Sequence, residues 1–172
     1  MTVRKIEIER LSVTSSKPFA AVVAAIKASV GQPDMVAFEK ATRGAGSFTE
    51  LERKVHAGLG KTGLMLFMEL DHGAVLRKES GRDTPKIVRL LIGNPLIMKE
   101  MAKHVPDAGS YAPITILVDE RPEGVRLSYD RMASLLAAYG SPDALPVAKH
   151  LDNEVETSLA RSGSVNICVE VT

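Results

Sequence analysis

The sequence predicts an α+β fold: a mainly antiparallel sheet with helices packed on one face. Three observations carry that reading. Ile114 to Val118 and Val125 to Tyr129 are apolar runs joined by Glu120-Arg121-Pro122-Glu123-Gly124, a tight turn that only antiparallel partners accept. Val147, Leu151, Val155 and Leu159 are spaced four apart, the signature of a helix with one apolar face. The apolar runs Leu64 to Leu70 and Ile87 to Ile92 are short and bounded by Gly, Asp, Asn and Pro, which favours buried strands.

The elements follow in order. From Val3 to Val13, residues Ile6, Ile8, Leu11 and Val13 mark a first strand of irregular period two. Ser15 or Ser16 is expected to cap a helix with Pro18 in its first turn. Phe19, Val22, Val23, Ile26 and Val30 lie on one face of that helix, and Gly31 should stop it. Residues 32–60 read as a helical elaboration. Asp34 caps a short helix, and Ser47-Phe48-Thr49-Glu50 is a capping box that starts another at Phe48.

Strands are expected at roughly 4–14, 64–71, 87–93, 113–119 and 125–130. Asn94 should cap a helix with Pro95 at its first position, and Asp130 a helix carrying Met132, Leu135 and Leu136. Between Asp71 and Lys86 the chain looks too short for a regular helix and reads as loop. Gly163 should end the last helix, and the alternating tail Val165 to Val171 predicts an extra C-terminal strand that pairs with a sheet edge. All of this fits one domain over residues 1–172, with a helical elaboration at 32–60 and the tail strand at 163–172.

Composition narrows the function classes. Basic and acidic residues number 22 and 21, for a net charge of +1. No basic cluster in the sequence could neutralise several phosphates, so nucleic-acid binding is not expected. Aromatic residues are only 4% and Trp is absent, so the core must be built from Leu, Ile, Val, Met and Ala. No apolar stretch approaches the ~20 residues that span a bilayer, and the first ten residues hold no apolar leader, so a cytoplasmic protein without membrane contact is expected. Cys168 is the only cysteine, which rules out an intrachain disulfide and a cysteine zinc cage. In an alternating strand it reads as a packed thiol. No His-x-x-x-His, Glu-x-x-His or His-x-Glu pairing occurs, so neither a metal nor a cofactor is expected.

The candidate functional residues stand at strand ends. His72 beside Asp71 has the chemistry of a general base or of an oriented metal ligand. On an extended strand the two side chains point to opposite faces, so adjacency alone makes no dyad. Gly93-Asn94-Pro95 opens a helix whose free N–H groups could hold an anion, although capping alone explains both Asn94 and Pro95. Tyr129 could offer its hydroxyl to a pocket or serve as an amphipathic lid on the core. His104 lies near a helix C-terminus, while His56 and His150 read as solvated. Gly58-Leu59-Gly60-Lys61-Thr62-Gly63 has phosphate-loop composition in the wrong context, after a helix and before a strand.

The order of these motifs resembles a bacterial family, the domain of unknown function 302. The resemblance rests on the first strand and helix, the strand closing on Asp71-His72, the strand closing on Gly93-Asn94-Pro95, and the hairpin ending in Ser128-Tyr129-Asp130. It covers roughly residues 5–160. What it implies is a β-α-β4-α-like fold similar to that of the TATA-binding protein, without its DNA binding, and assembly as a homodimer. The leading expectation is a homodimeric module that binds a small polar or anionic molecule near Asp71, His72, Asn94 and Tyr129. The alternatives are an enzyme using His72 as general base and a structural or interaction dimer without a ligand. If the two strands ran with their ends on the same side, His72 and Asn94 would converge. As antiparallel partners, they would leave His72 near Lys86 and Asn94 near Gly63.

Overall fold

In a computed structural model, which describes residues 1, 3–162 and 166–170, six strands form one sheet in the order β2-β3-β4-β5-β1-β6. The strands are β1 (Arg10–Ser15), β2 (Met65–Asp71), β3 (Ile87–Gly93), β4 (Ile114–Arg121), β5 (Gly124–Asp130) and β6 (Asn166–Glu170). Every neighbouring pair is antiparallel. The helices are α1 (Phe19–Ser29), α2 (Met35–Arg43), α3 (Phe48–Gly58), α4 (Gly73–Ser80), α5 (Pro95–Ala102), α6 (Met132–Ala137) and α7 (Ala144–Ser162).

Strand alternation sorts the side chains between two faces. Val88, Leu90 and Ile92 of β3, Ile114, Ile116 and Val118 of β4, and Val125, Leu127 and Tyr129 of β5 are buried on one face. Val22 and Ile26 of α1, Met101 of α5 and Leu151, Val155 and Leu159 of α7 close that core. The intervening strand residues, among them Arg89, Leu91, Thr115, Leu117, Arg126 and Ser128, lie half-buried on the opposite face.

Several caps act as the sequence predicts. Asp34 accepts from Ala37 N at 2.8 Å and Ser47 from Glu50 N at 3.2 Å, while Glu50 reaches back to Gly46 N. Asn94 accepts from Leu96 N at 2.9 Å, with Pro95 in the first turn.

Other expectations are corrected. Neither Ser15 nor Ser16 caps α1: Pro18 stands at its N-cap, and the Ser15 hydroxyl accepts from Lys17 N. Asp130 does not cap α6, because its carboxylate faces Arg10. The first strand is shorter than expected, starting at Arg10. The segment after Asp71 holds the regular helix α4, started by Asp71 accepting from Ala74 N and ended by Gly81 in the left-handed region at φ 67°.

The tail strand pairs with β1, Cys168 opposite Ser12 in Cα register. Gly163 as the helix stop, Val165 and Val171 as strand residues and the packing of the Cys168 thiol lie outside the described residues.

Glycines bring the first helix and the second strand together. Gly31 N and Gly60 N both donate to the Leu64 carbonyl at 2.9 Å, and Gly31 forms a parallel bridge with Met65. A Cβ on Gly31 would run into the Gly58 carbonyl, and one on Gly60 into the backbone of Val30. Thr62 donates its hydroxyl to the Ser29 carbonyl in the same crossing. The Gly58 to Gly63 stretch is thus a close backbone junction, not a phosphate cradle.

Candidate functional site

β2 and β3 are antiparallel neighbours, with Met65 opposite Gly93 and Asp71 opposite Val88. That register puts the ends of the two strands at opposite ends of the sheet. Asn94 donates its amide to the Gly63 carbonyl at 2.9 Å, at the start of β2, while His72 lies a strand length away beside β3's first residues. The four residues Asp71, His72, Asn94 and Tyr129 therefore do not form one site.

Each has its own surroundings. The Asp71 carboxylate is taken by Arg77, at 2.6 Å, and by Ala74 N. Arg77 above all, and then the backbone N–H groups at the start of α4, hold its pKa below the ordinary value. Asp71 is consequently not oriented toward His72, and the two make no dyad. Tyr129 is 1% exposed. Its hydroxyl donates to Asp152 Oδ1 at 2.5 Å, and burial first, then the Asp152 charge, pushes its pKa up. It is a core hydrogen-bond donor and not a pocket group. Asn94 has both ends engaged and lines an apolar cavity of about 150 Å³ under the sheet's helix-covered face.

His72 instead continues the open face of the sheet and lines a depression of about 290 Å³ together with Arg10, Arg89, Arg121 and Arg126. The strand registers explain how four arginines meet there. Arg89 stands opposite Leu117, Leu117 opposite Ser128, and Ser128 opposite Ser12, forming one cross-strand row. On one side of that row Asp119 stands opposite Arg126, and on the other Asp130 opposite Arg10.

The charges are unevenly compensated. Arg10 forks onto Asp130 at 2.6 and 2.8 Å, and Arg121 donates to Asp119. Both pairings raise the guanidinium pKa, chiefly through the hydrogen bond to the carboxylate. Arg126 Nη2 donates to the Ser12 hydroxyl at 2.9 Å. Arg89 donates from Nε and Nη2 to the Thr115 hydroxyl at 3.2 and 2.9 Å, so its charge rests on a neutral acceptor. Arg10 and Arg121 are thus held by carboxylates, whereas Arg89 rests on the Thr115 hydroxyl beside Leu117 and Ser128.

Sequence reasoning did not single out these arginines. The signal was present as polar residues at alternate positions: Arg89 between Val88 and Leu90, Arg126 between Val125 and Leu127. Only the cross-strand register, which no single strand encodes, brings them together. His56 and His150 line a separate broad cleft with Lys61, Lys99 and Glu154. Among the described residues no three His, Cys, Asp or Glu side chains are grouped to hold a metal ion.

Residues 38–162 match the model of the family Domain of unknown function DUF302. No curated protein matches the sequence. Among solved structures, the chain is similar to an uncharacterized conserved DUF302 protein from Bacillus stearothermophilus. The TM-score is 0.61 at 13% identity, over 89% of this chain and 97% of that one. At this identity the likeness concerns the fold.

Proposed function

The chain belongs to the DUF302 family, and from that premise we propose that it is a homodimeric module binding a small anionic molecule on the open face of its sheet. The observation that carries the reading is the depression where Arg10, Arg89, Arg121, Arg126 and His72 meet. Arg89 is its anchor, because a carboxylate or phosphate can replace the weak neutral acceptor Thr115 with a charge-assisted, two-pronged contact. Arg10 and Arg121, already held by their own carboxylates, frame the site.

Pairing of two copies is supported by the same face. Leu91 and Leu117 lie there half-buried, and Met68 is half exposed beside them. The general-base reading of His72 draws no support, because the neighbouring carboxylate is committed to Arg77. The same reading takes the protein to work in the cytoplasm, where its lone cysteine stays reduced.

Calorimetric titration with citrate and with inorganic phosphate at low ionic strength tests the site. Saturable binding of at least one, weakened tenfold or more by Arg89→Met and weakened by added salt, is the expected result. Absence of binding by both anions, or equal affinity in Arg89→Met, would overturn the proposal.

A further inference from the structure

A second cavity lies on the other, helix-covered side of the sheet, between the β2–β3 end and α5. Its volume is about 150 Å³. Its floor is the core itself: Met101, Ile114 and Leu151 are 0, 2 and 3% exposed. Phe67 and Met98 form walls, and Gly93 stands at the strand end beside them.

Two features keep the space open. The β2–β3 register shifts between Leu66 and Met68, so that Phe67 is the extra residue of a bulge and its ring is turned toward the cavity. Gly93 has no side chain there. A Cβ at that position would stand 3.3 Å from Pro113 Cβ and 3.6 Å from the Phe67 ring, against two of the lining residues.

The chemistry of the lining decides what fits. A water molecule in a cavity needs two to four polar partners. The polar side chain of the lining, Asn94, already accepts from Leu96 N through its oxygen and donates its amide to the Gly63 carbonyl. Water that enters this partly open space finds few partners, and an apolar guest would give the lining atoms dispersion contacts. An apolar space of about 150 Å³ matches a single aromatic ring. The methionine side chains adapt to such a guest and make favourable sulfur–ring contacts.

We propose that this cavity is a binding site for a small uncharged aromatic molecule of single-ring size, separate from the arginine depression on the opposite face.

Benzene is the probe. The protein is labelled with ¹³C at its methionine methyl groups and titrated with benzene. Saturable shifts are expected at Met98 and Met101, with none at the half-exposed Met68. Benzoate, whose charge the lining cannot solvate, should give none of these shifts. Met98→Trp, at a half-buried position of α5, fills the space and should abolish the response at Met101. Gly93→Ala narrows it and should weaken benzene at least tenfold, which keeps the test open if the tryptophan variant does not fold. Arg89→Met should leave the benzene response intact. No saturable shift up to the solubility of benzene, or an undiminished response in a folded variant with the space filled, would overturn the assignment.

Discussion

At the scale of single residues, Asp152 shows how a side chain remote in sequence completes local structure. It is 2% exposed and accepts from the Tyr129 hydroxyl, from Met132 N at 2.7 Å and from Ala133 N at 3.0 Å. It thus caps α6, the place that sequence reasoning assigned to Asp130. Burial raises its pKa, and the hydrogen bonds from Tyr129 and the two backbone groups only partly oppose this. A carboxyl whose folded pKa is raised stabilises most below its unfolded value, about 4, and loses that contribution as pH rises through the folded value. Asp152→Asn removes this titration and leaves the Ala133 N–H facing an amide that cannot accept from it. The variant should cost about 1–3 kcal/mol, and its deficit against the parent should shrink as pH rises from about 4 toward 7. Melting temperatures of both proteins across that range check the sign: a gap that widens with pH means the pKa is lowered instead. Gly31 supplies a steric case. Gly31→Ala drives a methyl group into the Gly58 carbonyl, and overpacking against backbone should cost ~3 kcal/mol. Gly109→Ala, with open space around it, should stay within about 0.5 kcal/mol of the parent in denaturant titrations.

At the scale of elements, the capping residues show what local sequence conveys. Asp34, Ser47 and Asn94 start α2, α3 and α5 where their side chains predict, because an N-cap needs only partners two or three residues ahead. α4 is not legible in the sequence because Asp71 both ends β2 and starts the helix. Its carboxylate in fact serves both Ala74 N and Arg77, which joins strand and helix without an intervening loop. Asn94 does double duty, since its amide also holds the Gly63 carbonyl at the start of β2. Asn94→Ala should therefore cost more than an ordinary cap, about 2 kcal/mol. Asn94→Asp, which keeps the acceptor and loses the donor, should fall between the two. Chemical denaturation of the three proteins measures the order, and equal stability of parent and alanine variant would show that neither contact matters.

At the scale of the whole molecule, one covered and one open sheet face divide the chemistry: an apolar core and cavity on one side, charged and hydroxyl side chains on the other. No helix among the described residues is long and apolar enough to cross a membrane. The four arginines are interleaved with Asp119 and Asp130 and set in a depression, which suits a small anion better than a continuous phosphate backbone. With a net charge of +1, gel-shift assays at low salt should show no submicromolar DNA binding, and such binding would contradict the small-anion reading. Sedimentation velocity at micromolar concentration should give a dimer. A monomer there would remove the paired-copy part of the proposal while leaving the anion titration to decide the rest.

The sequence by itself determined the α+β class, the antiparallel hairpin, the apolar face of α7 and the caps at Asp34, Ser47 and Asn94. These follow from periodicity and from contacts a few residues long. Tertiary structure alone decided that His72 and Asn94 stand at opposite ends of the sheet, that Tyr129 faces Asp152 in the core, and that Arg10, Arg89, Arg121 and Arg126 share one depression. The physical reason is register. Each strand's alternation says which residues share a face, but the pairing of β2 with β3, β4 with β5 and β5 with β1 sets which residues stand side by side, and that pairing is fixed by packing across the whole sheet.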